Sequence, residues 1–282
     1  VAVLGVYLSH PFTFSSMLAL TRPLVGLAVF VVSVVLPSSP ARAQDNYEIQ
    51  VYGSELVPRG RTMFELHSNF TLAGTTMRQD GVLPTQHAVH ETIEVTHGFS
   101  DWFEIGFYVF TSTQQSTGVQ WVGDHIRPRI AAPESWHLPV GLSLSQEFGY
   151  QRREFSADTW TWEIRPIIDQ QLGRVYWSLN PTLERALVGE NVTSGFEFAP
   201  NAQVMFELTK KVAPALEYYG SFGAVTRFDP LGQTEQQFFF ALNLDMGPEW
   251  EFNIGFGAGT TRSTDHSIVK MIVGRRFGHG PE

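Results

Sequence analysis

Gln237 to Gly259 reads QFFFALNLDMGPEWEFNIGFGAG. In its first half Phe238, Phe240, Leu242, Leu244 and Met246 alternate with Gln237, Phe239, Ala241, Asn243 and Asp245. After Gly247-Pro248 the pattern restarts, with Trp250, Phe252, Ile254, Phe256 and Ala258 set against Glu251, Asn253, Gly255 and Gly257. Successive side chains on a strand point to opposite faces, so each half is a strand with one apolar and one largely polar face. Each runs about ten residues, the length a tilted strand needs to cross the hydrocarbon of a bilayer. The glycines, amides and carboxylates of the other face suit a hydrated interior.

Outward from this hairpin, the same alternation recurs from Arg61 to Phe277. Phe64, Leu66, Phe70 and Leu72 oppose Glu65, His67, Asn69 and Thr71; Val89, Ile93 and Val95 oppose His90, Thr92, Glu94 and Thr96. Phe103, Ile105, Phe107 and Val109 oppose Glu104, Gly106 and Tyr108, and a weaker run over 122–131 sets Ile126 and Ile130 against His125, Arg127 and Arg129. Further runs cover 138–150, 160–169, 175–187, 196–209, 212–226 and 267–277, for about twelve strands in all. Short links (97–101, 132–137, Gly173-Arg174, Lys210-Lys211, Gly247-Pro248) alternate with longer polar ones (74–86, 112–121, 151–158, 188–194, 227–233, 260–266). An even strand number with short turns on one rim and long loops on the other predicts an all-β, up-and-down antiparallel transmembrane barrel over 61–277. Trp102, Trp121, Trp160, Trp177, Trp250 and Phe277, near strand ends, are the candidates for its aromatic girdles.

Composition agrees. Hydrophobic residues make up 43% of the 282, yet the mean hydropathy is only −0.07, because apolar and polar residues alternate rather than cluster. There is no cysteine, which removes disulfides, thiolate metal sites and a cysteine nucleophile. The chain carries 19 Lys and Arg against 28 Asp and Glu, a balance that argues against nucleic acid as a partner.

The first 43 residues are of a different kind. Leu24 to Leu36 (LVGLAVFVVSVVL) is preceded by Arg22 and followed by PSSPARA, in which Ala41-Arg42-Ala43 is a small-x-small cleavage site. This pattern predicts a secretory signal peptide cut after Ala43, with Met17 as its start and residues 1–16 as upstream sequence. Residues 44–60 then form a lead-in, either a periplasmic arm or a partial plug in the barrel mouth, and 278–282 a short tail.

The whole of Arg61–Phe277 resembles bacterial outer-membrane β-barrels of the porin-like or transporter type. The last strand ends on Phe277, an aromatic end of the kind the barrel-assembly machinery reads, although five residues follow it. The resemblance implies a bacterial outer-membrane location, lipid around the barrel, and passage or binding of small solutes without a chemical step.

The candidate lumen-lining residues are His67, His90, Glu94, Glu104, Arg127, Arg129, Glu147, Glu163, Arg165, Asp169, Asn243, Asp245 and Glu251. A regular hairpin register would align His67, Glu94, Glu104 and Arg129 across four strands. Such a row is either a constriction that selects charged solutes or holds a metal, or an ion-paired lining that keeps buried charges satisfied. A second inward group joins Glu163, Arg165 and Asp169 to Glu147 and Asn180, and an acidic stripe runs through Glu197, Asn201, Gln203, Glu207, Glu217, Asn243, Asp245 and Glu251. His87 and His90, three apart on a strand, point to opposite faces and do not make a ligand pair.

No residue is assigned a catalytic, cofactor or metal role. Ser263, Asp265 and His266 are the one compact Ser/Asp/His set, crowded on a single loop, and no G-x-S-x-G or phosphate-binding loop is present. The alternatives to a channel are a lipid-acting outer-membrane hydrolase and a non-conducting barrel that serves as a binding or assembly platform.

Overall fold

A computed structural model of the protein describes residues 46–115 and 117–278. The segment read as a signal peptide, with its cleavage after Ala43, lies outside the described residues. Twelve strands are formed: β1 (Thr62–Ala73), β2 (Val89–Ser100), β3 (Phe103–Gln114), β4 (Gly118–Ala131), β5 (Gly141–Gln151), β6 (Asp158–Leu172), β7 (Val175–Gly189), β8 (Phe196–Phe206), β9 (Val212–Ser221), β10 (Glu235–Leu244), β11 (Trp250–Gly259) and β12 (Ser267–Phe277). Each pairs antiparallel with its neighbours in sequence, and β1 pairs with β12 to close the barrel. Closure leaves no sheet edge exposed, which a strand-built membrane span requires.

The alternation sorts as expected. Phe64, Ile93, Phe107, Leu216, Phe238, Phe240 and Phe256 are exposed on the outer face, while His67, Glu94, Glu104, Arg127 and Lys270 are almost wholly buried inside. Aromatic side chains gather near both rims. Trp121, Tyr150 and Trp160 on β4–β6 form a chain at centroid spacings of 5.9 and 5.3 Å near the loop ends. At the opposite rim Phe64 packs edge-on against Phe277 at 5.5 Å, and the Arg275 guanidinium lies 4.9 Å over both Trp250 and Phe277.

The rims differ from expectation at several strand ends: β8 stops at Phe206 and β9 at Ser221, short of the runs read to 209 and 226, so the link before β10 is longer. Instead of a loop over 112–121, β3 and β4 run on to a tight turn between Gln114 and Gly118. Gly118 takes a φ of 66°, which a glycine adopts without a Cβ penalty. The alternation of Ser112, Thr113, Val119 and Gln120 thus belongs to strand, not loop.

The interior is occupied. Residues 46–58 run extended through the lumen without joining the sheet, from Asp265 on the 260–266 loop to Gly98 at the β2–β3 turn. Asn46 donates to Asp265 at one end; at the other a Cβ on Gly98 would collide with the Val57 and Pro58 carbonyls. Gly98 is where the chain leaves the lumen and turns, through Gly60, into β1.

Candidate functional site

An extended segment buried away from the sheet needs partners for its amide and carbonyl groups. The inward side chains of the wall supply them. Asn69 Nδ2 donates to the Asn46 carbonyl at 2.8 Å and Thr92 Oγ1 to the Tyr47 carbonyl at 2.6 Å. Lys270 Nζ donates to the Ile49 carbonyl at 3.1 Å and Gln203 Nε2 to the Val51 carbonyl at 3.1 Å. Tyr52 is held on both sides: its N–H donates to Asn180 Oδ1 at 2.8 Å, and its carbonyl accepts from Ser178 Oγ at 2.6 Å and Asn180 Nδ2 at 3.0 Å. Ser54 donates its N–H and hydroxyl to the Asp169 carboxylate at 2.6 and 2.7 Å. Arg129 donates to the carbonyls of Gly53 at 2.9 Å and Glu55 at 2.6 Å, and the Val57 N–H donates to Glu104 Oε2 at 2.6 Å.

Side chains of the segment fill the width of the barrel. On one side Ile49 and Val51 form an apolar cluster with Tyr219, Phe239 and Ile268. On the other the Tyr52 ring lies under two guanidinium groups, Arg127 at 4.3 Å and Arg165 at 4.9 Å from its centroid, and Arg129 stands at 5.8 Å. Its hydroxyl bonds to Glu48 and stands 3.3 Å from the Tyr108 hydroxyl. Ile49, Tyr108, Tyr219, Phe239 and Lys270 all retain under 2% exposure, so water does not reach this layer.

The expected row of His67, Glu94, Glu104 and Arg129 assembles, but along a diagonal. His67 is in register with Thr92, not Glu94, and Glu104 with Gly98; only Glu104 and Arg129 are true partners across a rung. Both displacements are even, so the faces are kept, and the stagger a closed barrel needs makes contacts diagonal. His67 Nε2 stands 3.4 Å from Glu94 Oε2, and Arg129 Nε bonds Glu104 at 2.8 Å. The member missing from the row is Arg127, which bonds Glu94 Oε1 at 2.6 Å and stands 3.9 Å from Glu104. It reaches β2 by lying across Gly106 of β3, where a Cβ would come within 2.8 Å of Thr96 Oγ1 and 3.4 Å of Arg127 Nε.

The second inward group separates into three. Arg165 pairs with Glu163 at 2.7 Å and stands 3.7 Å from Glu48; Glu147 pairs with His125; Asp169 accepts from Ser54 and, at 2.7 Å, from the Tyr176 hydroxyl. Of the acidic stripe, Glu217 is buried against Lys270, and Glu251 accepts from Gln50 Nε2 at 3.3 Å. Asp245 and Glu207 do not line the lumen. Both lie just past strand ends and are exposed, with the Asp245 carboxylate accepting from the Gly247 N–H at 2.7 Å. The turn at Gly247 uses the aspartate as a cap, which the alternation alone did not reveal. Asn243 stays inward, bonded to Asn253 at 2.9 Å. His90 is buried edge-on against the Tyr47 ring at 4.7 Å, and His87 sits before β2 at a φ of 58°.

Two cavities stand on either side of the occluding layer. The larger, about 720 Å³, opens among the long loops. Ten carboxylates line it, among them Glu48, Glu147, Glu163, Glu184, Glu197 and Glu235, against Arg165, Arg185 and Arg227. The smaller, about 160 Å³, lies between Gln50, Val51 and Gly53 of the segment and a wall that includes Glu251, Asn253, Lys270 and Ile272. In the 260–266 loop, Asp265 accepts from Thr85 Oγ1 at 2.6 Å and from Asn46, while Ser263 Oγ donates to the Gln233 carbonyl at 2.8 Å. The Asp265 carboxylate thus holds the tip of the lumen segment rather than an imidazole. Its burial pushes its pKa above the usual aspartate range.

No protein-family model matches the chain, and no curated protein matches it in sequence. Among solved structures the NanC porin superposes with a TM-score of 0.51 at 9% identity, covering 77% of this chain and 99% of that one. The KdgM porin gives 0.49 at 9% identity over 76% and 99%, and the translocator domain of the autotransporter NalP from Neisseria meningitidis 0.44 at 9% over 83% and 91%. At such identities the likeness carries the fold alone. The chain has the closed antiparallel β-barrel fold that the NanC porin also has.

Proposed function

We propose that the protein is an outer-membrane channel for small solutes that its own residues 46–58 hold closed. The observation that carries this is the set of hydrogen bonds from Asn69, Thr92, Asn180, Gln203 and Lys270 to the backbone of that segment. The neutral bonds among them are worth about 0.5–1.5 kcal/mol each and the one from the Lys270 ammonium about 1.5–3 kcal/mol, and none is part of the sheet, so release of the segment leaves the wall's own pairing intact. The acidic vestibule is the outer entrance and favours cationic over anionic solutes. Export uses the signal peptide that starts at Met17 and is cut after Ala43; the apolar belt faces lipid, and the β12 end at Phe277 is what the assembly machinery reads.

A filled lumen equally describes a barrel that never conducts and acts as a platform. Liposome swelling separates the two. The Ser178→Ala/Asn180→Ala double variant, which frees the Tyr52 backbone, is expected to admit small solutes faster than the native chain, amines ahead of acids. Folded double-variant barrels that admit nothing favour the platform.

A further inference from the structure

We infer that Glu65, His67 and Glu94 form a buried site for one divalent transition-metal ion, tying β1 to β2 beside the closing seam. Glu65 and His67 are two apart on the inner face of β1, and Glu94 of β2 is the register partner of Glu65. Two carboxylates placed directly opposite on one face repel, and here both are buried. Glu94 is divided in its use. Its Oε1 accepts from Arg127 at 2.6 Å and Thr96 at 2.7 Å, while Oε2 has no hydrogen bond and faces His67.

His67 supplies the second, independent observation. It is wholly buried, and neither of its ring nitrogens makes a hydrogen bond. A buried imidazole whose Nδ1 has no partner and whose Nε2 has only the Glu94 carboxylate, at 3.4 Å and without a hydrogen bond, calls for a ligand, since such groups are otherwise paired. One donor atom from each of Glu65, His67 and Glu94 lies within 4.8 Å of the others. Donors around a tetrahedral Zn²⁺ at about 2.0–2.2 Å stand roughly 3.4 Å apart, so rotation of the side-chain ends by about an ångström closes the set. One imidazole and two carboxylates, with no thiolate, suit Zn²⁺ and similar borderline ions.

The surrounding charges agree. Arg127 serves Glu94, Arg129 serves Glu104, and Arg276 stands 3.8 Å from Glu251. Among the described residues no cation is at ion-pair distance from Glu65. The ion has a route: the 160 Å³ cavity is lined by Ile272, in register with His67, and by Glu251, which shares Gly274 as register partner with Glu65. Thr96 and Arg127 orient the Glu94 carboxylate from behind.

The test uses the full chain, refolded in detergent, stripped with chelator and titrated with Zn²⁺ against a chromophoric chelator. One Zn²⁺ per chain is expected, with a rise in Tm on binding. His67→Ala and the near-isosteric Glu65→Gln should weaken binding by more than the roughly 10- to 100-fold that loss of a supporting residue costs. Ca²⁺ and Mg²⁺ should not compete. Absence of tight Zn²⁺ binding to the native chain overturns the site and leaves a proton shared within the cluster. Binding unchanged in Glu65→Gln, which keeps the fold's shape, overturns it too and assigns the metal to surface histidines. If His67→Ala does not fold, an anomalous peak beside His67 in Zn²⁺-soaked native crystals decides the matter, and its absence is a refutation.

Discussion

Arg127→Met is the perturbation that probes the interior most sharply. The guanidinium is 2% exposed, bonds Glu94 at 2.6 Å, stands 3.9 Å from Glu104 and lies 4.3 Å over the Tyr52 ring and 5.3 Å from that of Tyr108. Met replaces the alkyl stem without a large void, so the loss is electrostatic. Removing one member of a buried pair costs about 3–5 kcal/mol, because the remaining charge is left without a counterion. The cation–π contact adds up to about 2 kcal/mol when desolvated, and part of that overlaps with the first figure. A total near 4 kcal/mol is therefore expected, on the order of the upper range for single substitutions. Urea titration of the barrel refolded in lipid vesicles measures it, read as a midpoint shift at constant slope. The double variant Arg127→Met/Glu94→Gln removes the stranded charge and should recover more than half of the loss. A single-variant cost below about 1 kcal/mol, or a double variant whose cost equals the sum of the singles, refutes the pairing.

Three further outcomes follow from separate parts of the molecule. Phe240→Arg puts a charge on the lipid face, where the side chain is 56% exposed, and should cost about 2–4 kcal/mol and impair insertion; Asn243→Arg, pointing to the interior, should still assemble in vesicles. Gly106→Val should cost about 1–3 kcal/mol by pushing Arg127 off Glu94, and that cost should shrink in an Arg127→Met background when both are unfolded in urea. Because burial raises the Asp265 pKa, the fold binds that proton more tightly than the unfolded chain does. The Asp265 contribution is fully present below the unfolded value, about 3.9, and is lost as pH rises through the folded one. The native chain should therefore lose stability relative to Asp265→Asn over that rise, measured as the difference in urea midpoints across a pH series.

The barrel was legible because its cause is periodic. A residue such as Phe240 or Glu94 declares its face by its neighbours two positions away, and twelve such runs leave few topologies. Register was not legible: the bulge between Gly98 and Ser100 and the long 74–88 connection decide which rung faces which, and neither has a sequence code. That is why His67 and Glu94 were brought together by the wrong pairing and Arg127 was left out of their row. The tight turn at Gly118 and the cap at Asp245 are local features that alternation passes over. Lys270 was hidden for another reason. Both faces of β12 are largely apolar, with Ile268 and Ile272 inward, so a lone lysine among them carried no periodic signal. Its partners, the Ile49 carbonyl and Glu217, come from distant parts of the chain. Residues 46–58 were the hardest to place. Ile49 and Val51, alternating with Glu48, Gln50 and Tyr52, read as a short arm or partial plug, and only the wall's ring of amides and hydroxyls, scattered over β1, β2, β7 and β8, shows where such a segment is held.

Single-channel conductance in planar bilayers, comparing the full chain with a chain lacking residues 46–57, tests the closed-lumen reading most directly. The occluding layer of Ile49, Tyr52, Tyr108, Tyr219 and Phe239 loses two of its members in the deletion. Folding of both proteins is checked by their strand signature in circular dichroism. A closed lumen predicts little steady current from the full chain, and stable open steps, larger for cations than anions, from the shortened one. Equal conductance of the two folded barrels contradicts it.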